Sequence, residues 1–223
     1  MLQNDAVAPQ FKDSAVMVAR LAPQDYHRYH FPLGGTVGKT WTIEGEYYTV
    51  NPAAVNIQTI SVFSQNKRTV TLVQNDVVGD YAIVCVGATN VASITHFTNE
   101  GDVVATGDEF GYFAFGGSTL VVLFSRDAEK GMGSATNLFD ADLVKGSKAT
   151  LETYVHVNEH VGGFREDGTD TTSAPAVASG DDGKDDWNPD DDEDDGTNGA
   201  ASNHGLAPAA VAGLVVGLTL AHL

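Results

Sequence analysis

The chain has 223 residues, with 30 Asp and Glu against 12 Lys and Arg, for a formal charge of -18. The excess is local: between Glu166 and Asp195 stand 13 acidic residues and the single Lys184, a net of -12 that leaves -6 for the rest. No stripe of Lys and Arg is available to phosphates, which argues against a nucleic-acid partner, and one cysteine, Cys85, excludes an internal disulfide and a CxxC zinc site.

The N-terminus, MLQNDAVAPQFKD, lacks the basic start and apolar stretch of a secretion signal, and no N-x-Ser/Thr sequon occurs. Residues 13–22, DSAVMVARLA, carry apolar residues at helical spacing until Pro23, which predicts one short helix. Next comes RLAPQDYHRYHFPLGG, residues 20–35, with His27 and His30 among Tyr26, Tyr29 and Phe31. On a turn or short helix, residues three apart face one site, and imidazole is the side chain best placed to move protons near neutral pH. The same pair is open to a metal-ligand reading, although no third ligand stands near it. Ordinary core or surface histidines fit the motif, taken alone, equally well.

From Trp41 onward, short runs rich in Val, Ile, Thr, Tyr and Phe alternate with Gly, Asn, Asp and Pro: TWTIEGEYYTV, TISVFS, TVTLVQ, YAIVCVGA, ASITHF, FGYFAF, TLVVLF and TLETYVHV. They predict a mainly β fold, an antiparallel barrel or sandwich of one domain. Cys85, inside YAIVCVGA, reads as a small buried hydrophobe. The run FGGSTLVVLF, residues 115–124, interrupts an apolar strand with Gly116, Gly117, Ser118 and Thr119, and glycine there marks a bulge, a bend or a close backbone approach. A serine so placed can attack the carbonyl of its own preceding peptide bond, because Gly117 permits the dihedrals and the crowding. An ester replaces the amide. Removal of the serine α proton then splits the chain and leaves a dehydroalanine, which hydrolyses to a pyruvoyl group, an electron sink of the kind otherwise supplied by pyridoxal phosphate. A plain β-bulge fits the same four residues.

After Gly162 the apolar periodicity ends. Residues 165–205 read as a disordered acidic linker, unable to bury enough apolar area to offset ordering entropy. Its carboxylates lack the ligand spacing and closing Glu of an EF-hand, so a solvated spacer is the reading and calcium the lesser one. Residues 206–223 form an uncharged apolar tail preceded by NGAAS, the pattern of a GPI-type attachment signal or a short anchor. Gly213 and Gly217 stand at G-x-x-x-G spacing, which an Ala- and Gly-rich tail also produces by chance.

Taken together and in order, these blocks resemble the phosphatidylserine decarboxylases, pyruvoyl-dependent lipid enzymes. RLAPQDYHRYHFPLGG resembles the family's histidine motif, GEYYTVNPAAV and NKR its middle blocks, VGATNVASI the following strand and turn, GDEFGYFAFGGSTLVVLF the processing site, and DLVKGSKATLETYVHV the segment after it. GGST is similar to the form in the non-mitochondrial fungal type.

The resemblance implies a decarboxylase-type β domain over 1–164, cut between Gly117 and Ser118 into a β chain, 1–117, and an α chain from 118. It implies Ser118 as the residue converted to the pyruvoyl cofactor, His30 as the base of self-cleavage, His27 in decarboxylation, Gly116 and Thr119 in support of the turn, and no metal. The carbonyl forms a Schiff base with the amine of phosphatidylserine, and CO2 leaves to give phosphatidylethanolamine. Membrane association, endomembrane rather than mitochondrial, and a homodimer go with it.

The family's self-cleavage triad is Asp-His-Ser with its Asp well upstream, and no position here matches that Asp, so the chain reads as N-terminally truncated relative to the family. That leaves an alternative, a processing-deficient decarboxylase-like β protein displayed at a membrane by its tail. The acidic spacer favours it, since like charge holds the domain off anionic lipid. A third reading is a soluble metal-dependent hydrolase using His27 and His30.

Overall fold

The computed structural model describes residues 1–12, 14–51, 55, 60–76, 79–88, 93–114, 117–125 and 138–162, and the backbone of 213–217. These fall in one compact unit, Met1–Thr169 with Val211–Leu223. The acidic segment 165–205 lies outside the described residues, as does the apolar tail apart from Gly213–Gly217.

A 3-10 turn, Ala8–Phe11, precedes β1 (Val16–Leu21), β2 (Arg28–His30), β3 (Gly35–Ile43), α1 (Val62–Gln65), β4 (Arg68–Gln74), β5 (Tyr81–Val86), β6 (Ile94–His96), β7 (Val103–Val104), β8 (Glu109–Phe113), β9 (Ser118–Phe124), α2 (Ala141–Lys148), β10 (Thr153–His156) and β11 (Gly213–Gly217). The larger sheet runs β10-β11-β1-β9-β5-β4-β3-β7 and the smaller β2-β8-β6, all antiparallel in their pairings. The mainly β architecture expected from the sequence is present as a curled sheet forming a half-barrel.

Two expected elements differ outright, and TWTIEGEYYTV is strand only as far as Ile43, the end of β3. Residues 13–22 hold β1 rather than a helix: VMVARL pairs with β9 from Val16↔Leu123 to Leu21↔Ser118 and with β11 on its other edge. Met17, Ala19 and Leu21 enter one core cluster while Val16 and Val18 enter the other. A strand buried on both faces has apolar residues at nearly every position, and such a run contains helical spacings by default. TISVFS is likewise no strand but the short helix α1, of which only Val62 is buried. Residue 45 passes close over the helix end, where a Cβ on Gly45 would stand 2.1 Å from the Gln65 carbonyl. Asn66 closes this crossing, its buried amide donating to the carbonyls of Tyr48 and Gly87 and accepting the Tyr48 N–H.

Alternation along β9 and β5 assigns side chains to two clusters on either side of the large sheet. Between the two sheets lie Ala19, Leu21, Tyr29, Phe31, Ile83, Cys85, Phe110 and Phe113. On the far face lie Leu2, Phe11, Val16, Val70, Val84 and Val121. Each such side chain contributes about 1.5–3 kcal/mol on burial, so β5, with all six residues buried, is the spine of the fold. Cys85 is the small buried hydrophobe expected, its thiol pushed up to about 12 by burial.

Candidate active site

β9 begins at Ser118, which is 1% exposed. Immediately before it Gly117 has φ +88°, a left-handed conformation that residues with a Cβ adopt at a cost. A Cβ there would meet nothing within 4 Å. Glycine is therefore required by the dihedral rather than by space, and the turn sits at the peptide bond the sequence singles out. Gly116 lies outside the described residues.

The histidine motif forms a turn and then β2. Asp25 fixes the turn, its carboxylate accepting the Ala22 N–H at 2.7 Å and its own N–H donating to the Ala22 carbonyl at 2.9 Å. Its main-chain carbonyl accepts from His27 Nδ1 at 2.6 Å. That bond places the ring proton on Nδ1, so Nε2 carries the lone pair, and Nε2 accepts the Gly117 N–H at 3.1 Å. His27 thus touches the residue ahead of Ser118.

His30 faces elsewhere. Its Nδ1 donates to the Gly107 carbonyl at 2.9 Å and its Nε2 accepts from the Tyr26 hydroxyl at 3.1 Å, the two rings stacked 5.9 Å apart. Burial raises the Tyr26 pKa, with Glu109 adding to it, which keeps that hydroxyl a donor. The spacing expectation placed both on one turn or helix; His27 instead ends the turn while His30 lies in β2, past a register shift between Tyr29 and His30. His30 lines an apolar cleft of about 590 Å3 whose floor includes Leu21, the cross-strand partner of Ser118, and Leu120. Arg28, at its rim, pairs with Glu109 and lies over the Tyr112 ring.

Several residues around the site carry no sequence signal of their own. Tyr29, 2% exposed, donates to the Thr95 carbonyl at 2.9 Å, and His96 hydrogen-bonds Thr69 Oγ1 at 2.8 Å. Burial lowers the His96 pKa to about 4. Since the unfolded imidazole titrates near the ordinary value of about 6.5, the unfolded chain binds the extra proton between these values. Stability contributed by neutral His96 is therefore full above about pH 6.5 and lost as pH falls towards 4. The denaturation midpoint of the native chain is expected to drop over that window by more than that of His96→Leu, so that the two curves converge as the solution is acidified.

Among the described residues no three His, Cys, Asp or Glu side chains converge to hold a metal ion, and no helix is long and apolar enough to cross a membrane. A pyruvoyl group derived from Ser118 does fit the residues present. The peptide bond ahead of Ser118 is in a left-handed glycine turn, the serine is dry, an imidazole lone pair lies against the Gly117 amide, and Thr119 Oγ1 is buried with no hydrogen-bond partner among the described residues.

A family model for phosphatidylserine decarboxylase matches residues 1–161. The chain belongs to the phosphatidylserine decarboxylase family. It is 45% identical over 162 residues to phosphatidylserine decarboxylase proenzyme 2 of rice, covering 73% of this chain and 25% of that one. With proenzyme 2 of Saccharomyces cerevisiae the identity is 40% over 163 residues, 72% of this chain and 14% of the relative. With the Chlamydia muridarum proenzyme it is 36% over 162 residues, 73% and 51%. The chain therefore spans a quarter or less of the rice and yeast relatives and about half of the chlamydial one. Fungal members stand among the matches, as the GGST block implied.

Proposed function

We propose that this chain is the self-processing core of a phosphatidylserine decarboxylase, a carboxy-lyase that acts on phosphatidylserine at a membrane surface and releases CO2 and phosphatidylethanolamine. The observation that supports this reading most is the contact of His27 Nε2 with the Gly117 amide, at the left-handed turn before buried Ser118.

In the self-cleavage, Ser118 Oγ attacks the Gly117 carbonyl carbon, the C–N bond breaks as the serine nitrogen takes a proton, and an ester forms. His30 supplies the base that removes the Ser118 α proton. Elimination then expels the Gly117 carboxylate, and water adds to the resulting dehydroalanine, releasing ammonia and leaving a carbonyl at the new N-terminus. The pyruvoyl group so formed supplies the electron sink for loss of CO2.

The chain's own residues do the rest. The Ser118 end of β9 is walled by Leu21 and Leu120, whose apolar surfaces exclude water and strengthen every polar contact in the site. Once the chain is cut, the Gly117 amide is free to leave, and His27 Nε2 becomes available to hold and return a proton. The His30 role rests on the family motif, since its ring nitrogens are engaged with Gly107 and Tyr26 in the uncut chain. A homodimer at an endomembrane goes with the same reading.

The test is release of labelled CO2 from carboxyl-labelled phosphatidylserine in mixed micelles. The native chain is expected to release it and Ser118→Ala to release none. A folded native chain without activity would favour the non-catalytic displayed protein, and equal release by Ser118→Ala would remove the pyruvoyl chemistry.

A further inference from the structure

We infer that His96 is a positioning residue for this site: with Tyr29 and Thr69 it forms a hydrogen-bonded strut between the two sheets that sets where His27 stands relative to the Gly117–Ser118 bond. The inference rests on the proposed function for the reaction it serves, and on geometry for the strut itself.

The strut starts two residues from His27. Tyr29 on β2 lays its ring across β8 at Gly111, where a Cβ would stand 2.8 Å from the tyrosine oxygen and 2.0 Å from the Thr95 carbonyl. Only glycine leaves that path open, and through it the hydroxyl donates to Thr95 on β6. Having donated there, the hydroxyl oxygen is free to accept, and His96 Nδ1 lies 3.4 Å away. The imidazole is stacked on Phe110, centroids 4.5 Å apart and planes within 17°, with its edge towards Tyr29. Its Nε2 meets Thr69 Oγ1 at 2.8 Å. One assignment satisfies all three groups: Nδ1–H donates to Tyr29, and Thr69 O–H donates to Nε2. The ring is thus neutral with both nitrogens used, in keeping with its burial.

Thr69 belongs to the large sheet. It is the cross-strand partner of Cys85 on β5, which in turn pairs with Leu120 on β9, two residues past Ser118. At the other end, the His27 carbonyl accepts the Phe113 N–H of β8 at 2.9 Å, so His27 travels with the small sheet. The 3.1 Å contact between His27 and Gly117 therefore spans the two sheets, and its length depends on their spacing. Apolar packing alone resists sliding weakly because it is non-directional, whereas a stacked ring bonded at both nitrogens fixes distance and angle together.

The test follows CO2 release from phosphatidylserine by the cut chain at pH 7, well below the melting temperature. His96→Leu, which keeps the volume and removes the bonds, and Thr69→Val are each expected to cut and then to release CO2 about tenfold or more slowly, since a misplacement of about 1 Å costs up to about 100-fold. The double variant is expected to be no slower than the slower single, since both break one connection. His96→Gln, with a donor and an acceptor at its tip, recovers most of the rate. Phe11→Ala, on the far face of the large sheet, controls for lost stability alone and releases CO2 at the native rate.

A second readout needs no activity: in the uncut Ser118→Ala background, the Gly117 amide resonance is expected to shift with His96→Leu and stay in place with Phe11→Ala. Native CO2 release in His96→Leu with an unmoved Gly117 amide would overturn the inference. If the native chain never cleaves, the proposed function fails, and the strut is judged on the Gly117 amide alone: a shift supports it and an unmoved resonance rejects it.

Discussion

His30→Ala is expected to leave the chain uncut, whereas His27→Ala is expected to cut and then fail to release CO2. In the uncut chain His27 has no spare valence for base work: Nδ1 is committed to the Asp25 carbonyl and Nε2 to the Gly117 N–H. It orients the turn, and its lone pair is released only when the peptide bond is gone. His30 has its proton on Nδ1, held by the Gly107 carbonyl, and a lone pair on Nε2 that is shared only with the Tyr26 hydroxyl. A hydroxyl can rotate away or pass a proton on, so this nitrogen is the more readily recruited. Loss of a positioned base costs roughly 10²–10⁴ in rate, enough to keep His30→Ala a single band over hours. An uncut His27→Ala chain would reverse the assignment and make the Gly117 contact part of the cutting step. Electrophoresis of each variant, followed by CO2 release from those that cut, decides between these outcomes.

Gly111→Ala is expected to be among the most destabilising single substitutions in the described core. The added methyl would lie 2.0 Å from a backbone carbonyl, which has no rotamer by which to give way, and within 3 Å of the Tyr29 ring and hydroxyl. Overpacking of a well-filled site costs about 1–3 kcal/mol, and loss of the Tyr29 bond to Thr95 adds about 1 kcal/mol. Urea denaturation should show the midpoint falling accordingly. Tyr29→Phe in the same background should restore only part of the loss, because the Thr95 carbonyl still blocks the methyl; full restoration would mean that the side chain, not the backbone, sets the limit at Gly111.

The strands that the sequence displayed openly are those with one reading: TVTLVQ, YAIVCVGA, TLVVLF and TYVH are β-branched, short and bounded by turn residues, and they form β4, β5, β9 and β10. VMVARL was misleading because burial on both faces erases the alternation that marks a strand. The three residues of β2 are too few to show any period. Helix α2 shows too little of an apolar face to be read from the sequence, since only Leu143 and Val144 of its eight residues are buried. At the site, Gly117 and Ser118 were legible because a left-handed turn demands glycine and the chemistry demands a hydroxyl after it. His27 and His30 were visible as a pair, but their separation follows from the turn ending at His27 and β2 beginning only at Arg28. Tyr29, Thr69 and His96 lie on three strands and meet only through tertiary packing, so no local pattern announces them.

Intact mass of the purified native chain under denaturing conditions, with and without hydroxylamine, decides whether the chain cuts itself at Ser118 and carries a carbonyl there. Two chains meeting at Gly117 and Ser118 are expected in place of the 23.5 kDa precursor, the second lacking a free amine and gaining mass with hydroxylamine as its carbonyl forms an oxime. A single uncut 23.5 kDa species that is folded and does not react with hydroxylamine would contradict that expectation.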